Sequence, residues 1–260
     1  MPVNRRHALI VPLALCLGPV AFVRAAEPAA ALLLVAGAGY RRPVEALCAE
    51  FTRQTGIAVE RSYGNLQQIA AQASAGGRVD VLIGDAGFID QTRDFHGPQR
   101  VPLGQGKLVL AWRRKLLGRR SPRPITDPVR DLAAMQSITL PNPQHAVYGR
   151  AAGQWLRAKG LWGPLYDRLK FVQTVSQVSA YLTSGQIDAG FLNLTELLAV
   201  KGQLGGYVEL QPGDDSYAPI DIVAAFAAAD TRPDAAADRA RFAQFLQGAP
   251  AREILRKAGL

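Results

Sequence analysis

Five short loops hold the residues best placed to do chemistry, at 37–42, 62–67, 84–87, 142–148 and 193–196. Each follows a segment that reads as a strand and precedes one that reads as a helix. Such loops carry the unpaired N–H groups and the positive dipole end of a helix start, which suit an anion. In an open α/β lobe, ligands sit at the carboxyl ends of the strands. Two lobes facing each other across such loops make a cleft that can close on a ligand. Taken singly, each loop is equally well a plain connection.

Motifs of catalysis are missing. The sequence has no Gly-x-Ser-x-Gly elbow, no phosphate-binding P-loop, no His-Glu-x-x-His and no paired Cys-x-x-Cys. Gly37-x-Gly39 after a strand approaches a dinucleotide fingerprint, but Arg42 stands where its third glycine belongs. His96 and His145 have no cysteine or carboxylate at ligand spacing, so no metal site is expected. A Ser–His–Asp set can assemble from distant positions, but nothing in the sequence argues for one.

The elements that must position these loops alternate. The apolar run 31–36 suits a strand buried on both faces. Pro43 opens a helix whose Val44, Leu47, Cys48 and Phe51 share one face, and Gly56 closes it. A strand at 57–61, a helix bearing Leu66, Ile69, Ala70 and Ala73, and a strand at 79–83 follow. The run 107–112, after the glycine-rich 103–106, reads as the crossing into a second lobe. There the alternation restarts, with strands at 137–140, 170–172 and 187–192. One helix between them buries Val147, Ala151, Trp155 and Leu156. Another, capped by Ser176, carries Val178, Tyr181 and Leu182 and ends at Gly185. The run 220–226 reads as the return crossing, followed by helices at 240–246 and 251–257. This order predicts an α/β protein of two lobes, 26–106 with 216–260 and 107–215, each a mostly parallel sheet flanked by helices.

Residues 1–25 stand apart. Arg5 and Arg6 precede an apolar run at 8–23, and Val23-Arg24-Ala25 offers short residues at the cleavage positions. That layout is a secretory signal peptide, too short and proline-broken to span a bilayer. Its removal takes three arginines from 30 basic and 21 acidic residues, leaving a net charge of about +6. The charge favours anionic partners at long range. The basic stretch Arg113-Arg114-Lys115 with Arg119-Arg120 lacks interleaved aromatics, so a solvated face is expected and not nucleic-acid binding. Only Cys48 then remains, which excludes an internal disulfide.

Four stretches in order resemble the periplasmic molybdate/tungstate-binding proteins, members of the type II periplasmic-binding-protein fold. They are VAGAGYRRPVEALCAEFTRQTGIAVE (35–60), QIAAQASAGGRVDVLIGDAGFID (68–90), PNPQHAVYGRAAGQWLRAKGLW (141–162) and FLQGAPAREILRKAGL (245–260). The resemblance implies a monomeric periplasmic binding protein of an ABC importer. It would carry a small oxyanion to a membrane permease, without a cofactor and without catalysis. It implies ligand oxygens held by backbone N–H and hydroxyl groups, with no counter-charge. By position the contacts fall on Ala38, Gly39 and Tyr40, on Asn65, Leu66 and Gln67, and on Gly84 and Asp85. The second lobe would add Ala146, Val147 and Asn193. Gly39 and Gln67 are expected to line the cleft from one side, and Val147 and Asn193 from the other.

The chain departs from that pattern in several places. Gly39 is a variant found within the family, whereas Leu66 replaces an expected serine and removes a hydroxyl donor. Asn193 stands where many members have tyrosine, and Asp85 where a small residue is usual. A carboxylate facing a dianion costs binding unless it turns away or pairs with Arg41 or Arg42. Asp85 is equally a helix cap, and Tyr40 and Tyr148 equally packing aromatics. Alternative readings are the same fold with another oxyanion, a metal ion or an organic acid as ligand, or an exported enzyme. A cation would need Asp85 to converge with Tyr40, Tyr148 or His145.

Overall fold

The computed structural model describes residues 31–114, 127–228 and 234–260, apart from 66–67, 70, 72–78, 93–94 and 96–98. The signal-peptide reading, Leu66, Gln67, His96 and the basic cluster beyond Arg114 lie outside the described residues, as does most of the expected helix at 66–73.

The first lobe begins with strand β1 (Leu32–Gly37), helix α1 (Arg41–Thr55), β2 (Val59–Gly64), β3 (Val81–Asp85), the short α2 (Ala86–Ile89) and β4 (Arg100–Gly106). The second lobe holds β5 (Leu108–Arg113), α3 (Pro128–Ala133), β6 (Ile138–Pro141) and α4 (Val147–Ala158). It continues with α5 (Trp162–Leu165), β7 (Leu169–Val172), α6 (Val175–Thr183), β8 (Ala189–Asn193), α7 (Leu194–Val200) and β9 (Leu204–Leu210). The chain then returns through β10 (Ile220–Phe226) and ends with α8 (Ala235–Leu246) and α9 (Ala249–Lys257).

The two sheets have matching orders, β2-β1-β3-β10-β4 and β7-β6-β8-β5-β9. In each, four strands point the same way and the crossing strand, β10 or β5, runs against them, pairing antiparallel on both sides. The sheets are therefore mixed, each mostly parallel in direction as expected, with one reversed strand. A strand arriving from the other lobe enters from the opposite end, so it cannot join the βαβ progression. Strands β4 and β9 were missed because their glycines and their alternation of half-buried residues do not read as apolar runs.

Helix α1 starts at Arg41, two residues before Pro43. That puts the proline at a first-turn position whose N–H would have no helical partner anyway. Gly56 ends it in the left-handed conformation, φ 73°. Its buried face, with Phe51, packs edge-on to Phe242 at 4.9 Å and thereby fixes α8 to the first lobe. Ser176 does not cap α6. Thr174 does, through a reciprocal pair with Gln177, and Tyr181 on that helix is largely exposed.

Each lobe repeats a buried carboxylate just before its third parallel strand. Asp80 accepts the Leu33 N–H at 2.9 Å and faces Arg239 at 3.7 Å. Asp188 accepts the Gln136 and Ser137 N–H groups and pairs with Arg113 at 2.7 Å. Removing one partner of such a pair strands a charge in the interior, so these pairs fix the strand starts firmly.

Cys48 is fully buried on α1, and burial pushes its thiol up to about 12. A chain lacking residues 1–25 should thus show no thiol labelling by a disulfide reagent at pH 8 until denaturant is added. Rapid labelling of the native protein would contradict this packing.

Candidate functional site

The carboxyl ends of the parallel strands in the two sheets face each other, and the space between them is small. A cavity of about 40 Å³ is lined by Gly37, Ala38, Gly39 and Tyr40 after β1, and by Gly64 and Asn65 after β2. The opposite wall is Ala146, Val147 and Tyr148 before and within α4, with Gln173, Thr174 and Val175 after β7. On that measure a single water needs roughly 10–15 Å³, so the space fits an ion of a few heavy atoms and not a large organic molecule.

Helix starts converge on this space. The turn Ala38–Tyr40 and helix α4 begin without a side chain capping them among the described residues, while α1 continues from the turn with its Arg41 N–H donated to the Ala38 carbonyl. Their first N–H groups therefore look for a partner in the cleft. Helix α6 differs, because Gln177 Oε1 accepts the N–H groups of Gln173 and Thr174.

The side chains around the cavity are oriented by donating and accepting among themselves. Asn65 Oδ1 accepts the Gln68 N–H, Gln173 Oε1 accepts from Asn65 Nδ2, and Thr174 Oγ1 accepts the Gln177 N–H. Tyr40 donates to Tyr148 across the lobes at 2.9 Å. With these oxygens engaged, the remaining hydrogens of Asn65, Thr174 and Tyr148 are the groups left to offer. None of the twelve lining residues carries a charged side chain. Burial raises the pKa of both tyrosines, Tyr40 strongly, so both hydroxyls stay protonated through the physiological range.

Six of the positions named from the sequence meet here: Ala38, Gly39, Tyr40, Asn65, Ala146 and Val147. Val147 is half-buried on the cavity wall, not in the core stripe, and Tyr148 takes the buried place beside it. Gly84 pairs with Val223 inside the first sheet and does not line the cavity. Asp85 accepts the Phe88 N–H at 3.0 Å as the cap of α2. Burial raises its carboxyl above the ordinary value, partly opposed by that hydrogen bond and by Arg150. Protonation of Asp85 thus favours the folded state, and its unfavourable charge is relieved as pH falls through the raised value. Asn193 is fully buried and also sits behind the cavity wall. Its Oδ1 caps α7 through the Glu196 N–H at 3.1 Å, and its Nδ2 donates to the Gly39 carbonyl at 3.0 Å. It holds the first loop from the other lobe. Gln173, Thr174 and Val175 were missed by sequence reasoning. The capping pair Thr174/Gln177, written T-x-x-Q, was the available signal.

The description of the bacterial extracellular solute-binding proteins matches residues 32–260. The chain belongs to that family. Among curated relatives, the molybdate-binding protein ModA of Rhodobacter capsulatus is 27% identical over 249 residues, covering 90% of each chain. The protein of the same name from Azotobacter vinelandii is 27% identical over 201 residues, covering 75% of this chain and 77% of its own. The solved periplasmic molybdate-binding protein of Azotobacter vinelandii superposes with a TM-score of 0.74 at 26% identity. That match covers 88% of this solute-binding protein and 97% of the other.

Gly39 lies directly against the second lobe at the cavity. A Cβ there would lie 2.8 Å from Val175 Cγ2 and 3.0 Å from Asn193 Nδ2. Gly39→Phe should therefore hold the lobes apart while leaving circular dichroism unchanged. Small-angle scattering should show a larger radius of gyration, and ligand affinity should fall by about tenfold to a hundredfold. Unaltered affinity would remove Gly39 from the site.

Proposed function

We propose that this protein captures a small tetrahedral dianion, molybdate or tungstate, in the cleft and delivers it to the membrane permease of an ABC importer. The observation that carries this reading is the character of the cavity: uncharged, donor-rich, and faced by uncapped helix starts. Such a site stabilises a desolvated dianion by spreading its charge over many N–H groups, with no cation needed. The two relatives named as molybdate-binding, similar over most of the chain, support the same ligand. Asp85, the carboxylate a cation would require, is occupied as a helix cap, which favours the anion. The same reading makes the protein a periplasmic monomer, released after cleavage near Ala25, that binds without catalysing. Its lobes are 26–106 with 216–260, and 107–215. The hydroxyl missing at Leu66 is made up by Thr174 and Tyr148.

Thermal unfolding against molybdate, tungstate, sulfate, phosphate and divalent metals tests the ligand. At about a hundred times its dissociation constant, the true ligand adds roughly 2.7 kcal/mol of stability. Molybdate and tungstate should raise the midpoint. Phosphate should not, because its protonated oxygen brings a donor to a donor-lined site. A shift with a divalent metal alone would overturn the assignment.

Asp85 supplies a second test. Asp85→Asn keeps a cap for α2, since asparagine caps about as well as aspartate, and removes a negative charge from beside the cleft. Molybdate affinity measured by calorimetry should rise severalfold, without a fall in melting temperature. Weaker binding would mean that Asp85 itself contacts the ligand.

A further inference from the structure

Strands β2 and β7 occupy the same place in their sheets, each at the edge farthest from the crossings β4→β5 and β9→β10. The loops that follow them are built alike. In the first lobe, Asn65 and Gln68 form a reciprocal pair, Asn65 N–H to Gln68 Oε1 at 3.0 Å and Gln68 N–H to Asn65 Oδ1 at 2.9 Å. In the second lobe, Thr174 and Gln177 form the corresponding pair, and Gln177 also takes the Gln173 N–H at 2.7 Å. Each loop is thus pinned by a glutamine three residues beyond its turn. Between the two pinned loops runs a side-chain hydrogen bond, Asn65 Nδ2 to Gln173 Oε1, at 3.1 Å and 108 residues apart in sequence. Asn65 is buried and Gln173 is open to solvent, so the bond spans the outer rim of the cavity.

We propose that Asn65 and Gln173 form an amide clasp across the cleft mouth, with Gln173 a positioning residue that sets how long the captured anion stays. The proposal rests on the oxyanion reading above. The reason is leverage. Opening about the crossings moves the β2 and β7 loops farther than any other part of the cavity wall. A bond between them must break for the ligand to leave, whereas the ligand reaches an open cleft before the bond has formed. The clasp therefore acts on release and not on capture. The Asn65 amide is already held by the Gln68 N–H and the Gln173 backbone by Gln177, so only the Gln173 side chain gives up freedom on closing.

Stopped-flow tryptophan fluorescence with molybdate, on the wild type, Gln173→Ala, Asn65→Ala and the double variant, tests this. Gln173→Ala should speed release by about fivefold, the worth of one neutral hydrogen bond, and leave the association rate unchanged. Asn65→Ala should release faster still, because Asn65 Oδ1 also pins the β2 loop by accepting the Gln68 N–H. The double variant should release no faster than Asn65→Ala alone, which a purely local role for each residue would not produce. Additive effects, or a release rate that Gln173→Ala does not change, would overturn the clasp. A wild type blind to molybdate would instead count against the ligand reading. The clasp is then judged by the same release measurement with whichever of tungstate, sulfate, phosphate or a divalent metal raises the unfolding midpoint. Equal release rates from Gln173→Ala and the wild type would overturn it.

Discussion

Helix starts that face a cleft without a cap set the terms for everything else in this molecule. A backbone N–H removed from water must find an acceptor. The turn after β1 and the helix α4 leave that acceptor to whatever enters the cavity. The sheets are oriented to make this possible, with their carboxyl ends opposed. The engaged oxygens of Asn65, Gln173, Thr174 and Tyr148 prevent the wall from satisfying those donors itself. A cavity suited to an acceptor is thus what the fold leaves open.

The two lobes solve the same structural problem with the same parts. Each begins its third parallel strand with a buried aspartate that ties down a neighbouring strand and faces an arginine. Each pins the loop after its edge strand with a glutamine. Where the lobes differ, they touch: Asn193 reaches over to the Gly39 carbonyl, and Tyr40 reaches to Tyr148. Lacking a Cβ, Gly39 lets the first loop come close enough for the Asn193 contact.

Much of the fold was legible because apolar runs and helical spacing record burial directly. The stripe Val44, Leu47, Cys48 and Phe51 named the buried face of α1, and Gly56 its end. Strands β4 and β9 were not legible, since edge strands expose one face and carry polar and glycine residues there. The site was legible at the first loop and at α4, where strand-to-helix turns are explicit. Asn193 and Asp85 show what the sequence hides. Both sit in the right loops, yet each uses its side chain to cap a helix. Direction is a property of packing, and a loop's residue list does not contain it. The role of Gln173 depends on a partner 108 residues away, which no local pattern records.

The lobes are joined by two connections of very different length, Lys107 alone between β4 and β5, and residues 211–219 between β9 and β10. The longer one is not slack. Tyr217 within it is buried, donates to the Leu210 carbonyl and accepts the Leu108 N–H, binding one connection to the other. Mechanically, two struts fastened side by side permit rotation about a single axis and resist twist and shear. The cleft then has one coordinate of motion, so both walls leave the ion together and no partial exit is open to it.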